Sequence, residues 1–333
     1  MPHHLLVTGA RGFIGRHMTA AALSDPDVRL RLVHRTPDAS SASSTPGAPG
    51  PLGASGGPEV PLSSGTRAER VIADLRDPAA VRGLCAGVDT VVHCASSINA
   101  DDETLHAVND LGTRALVEDA RRHGVRRVVY VSTAAVYGRG PFRDARAEEL
   151  TLDPQSATSR SRAAAERHVL DAGGTVLRPH LVHGAGDRWV VPGLARLLRH
   201  LGAGIATTAL HSAVDVTTLG RAVLAAALTD QDIAGAHHAN HPVPLAADEL
   251  IGLLLARLGL PAEPRLTPEE TLARVGGNPQ AVHNLTMLTV DHHFASDGLW
   301  KLLGIDPGPS PSARLPHELD EDYRLGSRST AGQ

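Results

Sequence analysis

Short apolar runs alternate with longer stretches of helical periodicity along the first half of the chain. Leu5–Val7, Arg29–Val33, Arg70–Ile72, Thr90–His93, Val128–Val131 and Thr175–Leu177 have the length and branched-aliphatic content of buried strands. Between them, Gly12–Ala22, Pro78–Cys85, Thr104–His123 and Ser159–Ala172 carry helix-like periodicity. Alternation of this kind predicts an α/β fold with a doubly wound parallel sheet. Beyond Arg178 the alternation loosens. Leu194–Leu201, Leu219–Leu228 and Asp248–Leu258 read as helices separated by Pro-rich joints. They predict a smaller lobe over the carboxyl edge of the sheet. The expected division is 1–178 for the sheet domain, 179–325 mainly for the lobe, and 326–333 for a tail.

One stretch breaks the pattern. Thr36–Thr66 is rich in Pro, Gly, Ser and Ala and has too few apolar side chains to build a core. It reads as a flexible insertion between the second and third strands, with a functional lid as the other reading.

Composition narrows the function classes. No apolar run approaches the ~18 residues of a membrane span, so no membrane partner is expected. The N-terminus enters a strand pattern directly, without a signal-peptide layout. The net charge is −4 and the arginines are interspersed with acids, which leaves no basic tract for nucleic acid. Cys85 and Cys94 form neither a metal clip nor a disulfide framework, and a reducing cytoplasm is the expected location. Histidine is abundant. His3-His4, His237-His238 and His292-His293 are adjacent pairs, not i,i+4 ligand pairs, and no Cys or carboxylate cluster accompanies them. No metal is expected on that pattern.

The candidate chemistry begins at Thr8-Gly9-Ala10-Arg11-Gly12-Phe13-Ile14-Gly15, between the first strand and the first helix. Gly9 permits a tight turn, Gly12 lets backbone approach a pyrophosphate, and Gly15 lets the helix lie close to the sheet. The helix N-terminus adds unpaired N–H groups and partial positive charge. This predicts a dinucleotide site. An acidic residue about twenty positions on would grip a ribose 2′-hydroxyl. Val33-His34-Arg35 stands there instead. Arg35 and Arg11 can clamp a 2′-phosphate, so NADPH is expected, with NADH as the alternative.

Further motifs fit around this turn. Ala73-Asp74-Leu75 ends the third strand, and Val91-Val92-His93-Cys94-Ala95 ends the fourth. Asn109 lies in the following helix. Tyr130-Val131-Ser132-Thr133-Ala134-Ala135-Val136-Tyr137-Gly138 ends the fifth strand. Ala163-Ala164-Ala165-Glu166 lies on the next helix, and Leu177-Arg178-Pro179-His180-Leu181-Val182-His183-Gly184 follows the sixth strand. Together these resemble the extended short-chain dehydrogenase/reductase family over nearly the whole chain. The resemblance implies a Rossmann-type domain of about seven parallel strands with a small C-terminal substrate lobe. It implies that Asp74 and Leu75 flank the adenine, and that Cys94, Ala95 and Ser132 lie near the nicotinamide ribose. Pro179 to Val182 would meet the nicotinamide amide, and Thr133 matches the family's catalytic Ser/Thr. His183 replaces a usual Tyr.

The family's Tyr-x-x-x-Lys pair is missing. Its positions read Thr158 and Arg162. Thr158 is too short and too weak an acid to replace a phenol. Arg162 keeps a positive charge that could bond ribose hydroxyls, but it cannot relay a proton. A general acid contributes about 10²–10⁴-fold in rate. Holding donor and acceptor in contact is worth about 7–11 kcal/mol of barrier, so reduction can outlast the loss. Thr133, Ser96, Ser97, His180 and His183 are the candidate substrate-side groups. A ketone flanked by a phenolic or enolic hydroxyl could also stabilise its own alkoxide. In this the chain resembles the atypical ketoreductases of angucyclinone pathways, simocyclinone biosynthesis in particular. That implies an NADPH-dependent reductase of an aromatic polyketide ketone in antibiotic biosynthesis. The other readings are a catalytically inactive NADP(H)-binding sensor and a nucleotide-sugar epimerase or dehydratase.

Overall fold

The computed structural model describes residues 2–36, 67–98, 100–276, 279–323 and 325. The insertion 36–66, beyond Thr36, and the tail 326–333 lie outside the described residues.

The strands are β1 (His3–Thr8), β2 (Val28–His34), β3 (Ala68–Ile72), β4 (Thr90–His93), β5 (Arg127–Val131), β6 (Phe142–Ala145), β7 (Thr175–Arg178), β8 (Leu181–His183), β9 (Leu210–His211), β10 (Ala213–Asp215), β11 (Gly235–His238), β12 (Leu245–Ala246) and β13 (His292–Phe294). The helices used below are α1 (Phe13–Leu23), α2 (Pro78–Val81), α3 (Asp102–Leu105), α4 (Gly112–Arg122), α5 (Ala157–Asp171), α6 (Val190–Leu201), α7 (Val216–Leu228) and α8 (Ala247–Leu258).

The main sheet has the order β11-β7-β5-β4-β1-β2-β3, and every pairing in it is parallel. Helices cover both faces, as the apolar runs require: Val91, Val92, Val129, Val176 and Leu177 are buried. The order reverses direction between β1 and β4. Such a switch point opens a crevice at the carboxyl ends of the two strands, where this architecture binds its ligands.

Six of the seven strands of this sheet lie where the apolar runs place them. The seventh, β11, does not show in the pattern. Its sequence Gly-Ala-His-His offers no apolar run, and pairing with β7 makes it a strand. The chain past residue 178 therefore returns to the sheet layer rather than running on as one lobe. Helix α7 returns as well: it crosses α1 so closely that a Cβ on Gly220 would lie 2.8 Å from the Met18 amide nitrogen. Its Leu219, Ala222, Val223 and Ala226 share one core with Leu5, Met18 and Val129.

The expected helix Pro78–Cys85 stops after one turn. Buried Asp119 on α4 accepts from the amides of Gly83 and Cys85 at 2.8 and 2.9 Å, which pulls this backbone out of the helix. Thr104–His123 is not a single α-helix either. Between α3 and α4, residues His106–Leu111 form a π-helical segment.

The smaller lobe comprises a four-stranded sheet in the order β12-β9-β13-β6, a two-stranded β8–β10 ladder, and helices α6, α8 and Pro311–Glu321. These helices share a second core of Val191, Leu198, Ile251, Leu254, Leu315 and Leu319.

Candidate active site

The glycine turn sits at the switch point. Gly9 has φ +70°, and a Cβ there would lie 2.5 Å from the Ala95 amide nitrogen. Gly9 thus lets the β1 and β4 loops touch. A Cβ on Gly15 would lie 2.1 Å from the Gly9 carbonyl oxygen, so α1 packs against the turn only because both residues are glycine. The Gly12 amide donates to the Gly9 carbonyl at 2.8 Å, and no side chain caps α1. Its first amides face the crevice, and this cradle fits a pyrophosphate. Arg11 and Gly12 are exposed, Phe13 and Ile14 half-buried, and Ala10 and Gly15 buried.

His34 is buried at the carboxyl end of β2, and its Nε2 has no protein partner. Burial lowers its pKa, and the charges of Arg70 and Arg11 lower it further. Arg35 beside it is exposed. Asp74 is gripped by Arg76, with Nη2 to Oδ2 at 2.6 Å, and this hydrogen bond lowers its pKa. Leu75 is buried under Gly112, where a Cβ would lie 3.0 Å from the leucine's own Cβ.

The β4 loop is held by Asn109, which is buried in the π-helical segment. Its Oδ1 accepts from the Ser97 amide at 2.7 Å, and its Nδ2 donates to the Ser97 carbonyl and to Ser161 Oγ, both at 2.9 Å. Ser96 Oγ reaches the same Oδ1 at 3.3 Å. π-Segments recur at functional sites, where the extra residue re-aims a side chain. Here the re-aimed side chain ties the loop to α5. Burial pushes the Cys94 thiol up to about 12, so it stays protonated.

Thr158 and Arg162 lie on α5, half-buried. Arg162 Nη2 donates to the Val131 carbonyl at 2.5 Å, and its guanidinium lies 5.8 Å from the Tyr130 ring centroid. Its Nε is buried without a partner. No tyrosine takes over the vacant position. Tyr130 is 1% exposed and stacks on His93 at 5.1 Å. Tyr137 is 2% exposed, with its hydroxyl 2.8 Å from His238 Nε2 and accepting from Arg178 at 2.7 Å. Tyr323 is 4% exposed, and its hydroxyl is shared between Asp187 and the Gly184 amide. Burial raises the pKa of all three phenols. Lys301 lies on the surface, paired with Asp297.

Thr133 is half-buried at the start of the short 3₁₀ turn after β5. Its Oγ1 accepts from the Ala135 amide at 3.2 Å, which leaves its own proton to donate. Ser132 beside it is buried, and its Oγ is unpartnered. The Pro179 carbonyl accepts from Ala134 at 2.8 Å, so the loops after β5 and β7 are joined. Val182 belongs to the β8–β10 ladder. His183 is buried, with Nδ1 2.6 Å from Glu318 Oε2. That anchors it in the lobe. His180 stacks with His211 and His292, two residues the sequence does not single out as its neighbours. Burial and the neighbouring histidines hold His180 well below the usual imidazole range.

A sequence profile described as the NAD dependent epimerase/dehydratase family matches residues 5–229. The chain belongs to that family. The family places it among NAD(P)-dependent oxidoreductases, with the Rossmann-type fold described above. The 2-alkyl-3-oxoalkanoate reductase of Stenotrophomonas maltophilia is 33% identical over 226 residues, covering 61% of this chain and 67% of that protein. The 4-hydroxy-2-methyl-3-oxo-4-farnesyl-3,4-dihydroquinoline-1-oxide ketoreductase of Stigmatella aurantiaca is 28% identical over 202 residues, covering 58% of this chain and 54% of that protein. The match thus spans about half to two thirds of these relatives. Among solved structures, the Bordetella bronchiseptica enzyme WbmH in complex with NAD+ is similar in fold, with a TM-score of 0.70 and 21% identity. That match covers 96% of this chain and 98% of WbmH. Among the described residues no helix is long and apolar enough to cross a membrane.

Proposed function

We propose that this family member is an NADPH-dependent ketoreductase acting on an aromatic polyketide ketone that carries a neighbouring hydroxyl, in antibiotic biosynthesis. The carrying observation is the combination of a complete glycine cradle with the loss of the acid pair. The cradle fits the pyrophosphate, and bound NADPH would supply the hydride. Arg11 and Arg35, beside buried His34, favour a 2′-phosphate over a bare ribose. Thr133 is the group this reading assigns to the substrate oxygen: it has a proton to give, though an aliphatic hydroxyl orients rather than acidifies.

Arg162, turned onto the Val131 carbonyl, is a fixed charge below the site and delivers no proton. With no phenol available, the alkoxide needs a hydrogen bond from the substrate, from Thr133 or from water. The Stigmatella relative supports the first source. Its named substrate carries a hydroxyl on the carbon next to the ketone.

A second reading, nucleotide-sugar epimerase or dehydratase, is favoured by the family description. Those reactions remove and return protons at set times, and the absence of an acid–base residue at position 158 weighs against it. A third reading, an inactive NADP(H)-binding sensor, rests on the same absence. The test is NADPH oxidation followed at the reduced-nicotinamide band, with hydroxy-ketones of the angucyclinone type beside plain ketones and a nucleotide sugar. Oxidation with the hydroxy-ketones supports the reductase. Turnover of the nucleotide sugar alone, or NADPH binding without any oxidation, overturns it.

A further inference from the structure

Three histidines far apart in sequence meet beside the β7 loop. His180 follows Pro179, His211 ends β9 and His292 opens β13. One ring nitrogen from each lies within 4.8 Å of the other two. The ring centroids form a nearly equilateral triangle with sides of 5.3, 5.8 and 5.8 Å, and the rings are within 19° of parallel.

That triangle has the size of a coordination sphere. A zinc–nitrogen bond is about 2.1 Å and the ring centre lies roughly 1.2 Å further out, so ligand centroids stand about 5.3–5.7 Å apart for tetrahedral to planar angles. The outer nitrogens are arranged accordingly. His211 Nε2 lies 3.1 Å from the Leu288 carbonyl and His292 Nδ1 lies 2.8 Å from the Val290 carbonyl. Carbonyl partners of this kind fix the tautomer and leave His211 Nδ1 and His292 Nε2 as acceptors, the latter holding the Gly140 amide at 3.4 Å, a long contact that a bound metal would displace.

His211 is 2% exposed and its Nδ1 has no protein partner. His180 Nε2 is buried and unpartnered too. Two buried ring nitrogens without protein partners leave a place for an electrophile between them. His180 is the half-buried member, which gives an ion its way in.

We infer that His180, His211 and His292 form a binding site for a divalent transition metal of the zinc class. Three neutral histidines leave a fourth position for water or a carbonyl oxygen, the pattern of catalytic rather than closed structural zinc sites. Asp291 lies beside the cluster, held by Arg143 at 2.6 Å and by the Leu210 amide at 2.9 Å, and supplies a nearby negative charge. The site stands whatever carbonyl chemistry the chain performs.

The test uses the full-length protein, stripped with chelator and reloaded with zinc or cobalt(II). One equivalent of zinc should remain after desalting, measured by elemental analysis, and zinc should raise the melting temperature. Cobalt should give the intense visible absorption of a four-coordinate ion. His211→Gln and His292→Gln should each weaken binding at least tenfold, while His106→Gln, an exposed residue outside the cluster, should leave it unchanged. No retained zinc, the weak spectrum of six-coordinate cobalt, or binding by the two cluster variants as tight as by the unaltered protein would overturn the inference. The cobalt spectrum of the unaltered protein decides even if a variant fails to fold.

Discussion

Arg162 Nη2 donates to the Val131 carbonyl at 2.5 Å, so the charge at the position where the resemblance expects a lysine is spent on the end of β5. Its neighbour one turn earlier, Thr158, has no phenol to activate. The two substitutions fit each other: without a phenol there is no proton relay for a lysine to tune.

Restoring the pair is the direct check. The double variant Thr158→Tyr, Arg162→Lys should reduce plain ketones at least tenfold faster than the unaltered protein, within the range of about 10²–10⁴ that a general acid supplies. Arg162→Lys alone should not. Steady-state kcat/KM on a ketone without a neighbouring hydroxyl measures both. No gain in the double variant would mean that the crevice no longer presents substrate to position 158.

The cradle is tested at Gly9. Gly9→Ala combines a positive φ with a Cβ 2.5 Å from a backbone nitrogen that cannot move freely. It should weaken NADPH binding at least tenfold and cost about 1–3 kcal/mol of stability. Fluorescence titration with NADPH and chemical denaturation read the two effects separately. Full binding in this variant would place the cofactor elsewhere.

Buried ion pairs fail asymmetrically. Arg178 and Glu166 are 5% and 0% exposed at their side chains, with Nη2 to Oε2 at 2.5 Å. Glu166→Ala strands a buried guanidinium and should cost about 3–5 kcal/mol. Urea unfolding measures it. A loss below 1 kcal/mol would show that Tyr137, which also receives Arg178, is sufficient partner.

The acid limb of stability should carry the signature of His93. Burial, aided by the charge of Arg162, lowers its pKa from 6.5 to about 3. The unfolded chain then binds a proton that the folded chain refuses. Stability is full above pH 6.5 and falls as the pH drops, by about 2–3 kcal/mol between pH 6.5 and 4.5 from this group. His93→Gln should be less stable at pH 7.5, because bonds to Thr8 at 2.6 Å and Thr113 at 2.9 Å are altered. Its stability should nevertheless fall less steeply over that interval. Denaturant midpoints across the pH range decide; an unchanged slope would assign the acid limb to other histidines.

The sequence by itself determined the parallel α/β class, six of the seven sheet strands and the glycine turn. Each of these is local: apolar runs and spacings within some twenty residues encode them directly. Tertiary structure decided the rest. Gly235–His238 became a strand because β7 offered an open edge, and α7 joined the sheet layer because Gly220 lets it lie against Met18. Arg162 found its partner on β5, all three phenols went into cores, and His180, His211 and His292 converged from three separate segments. Such pairings depend on which surfaces remain uncovered once the elements dock, and no pattern along the chain records that.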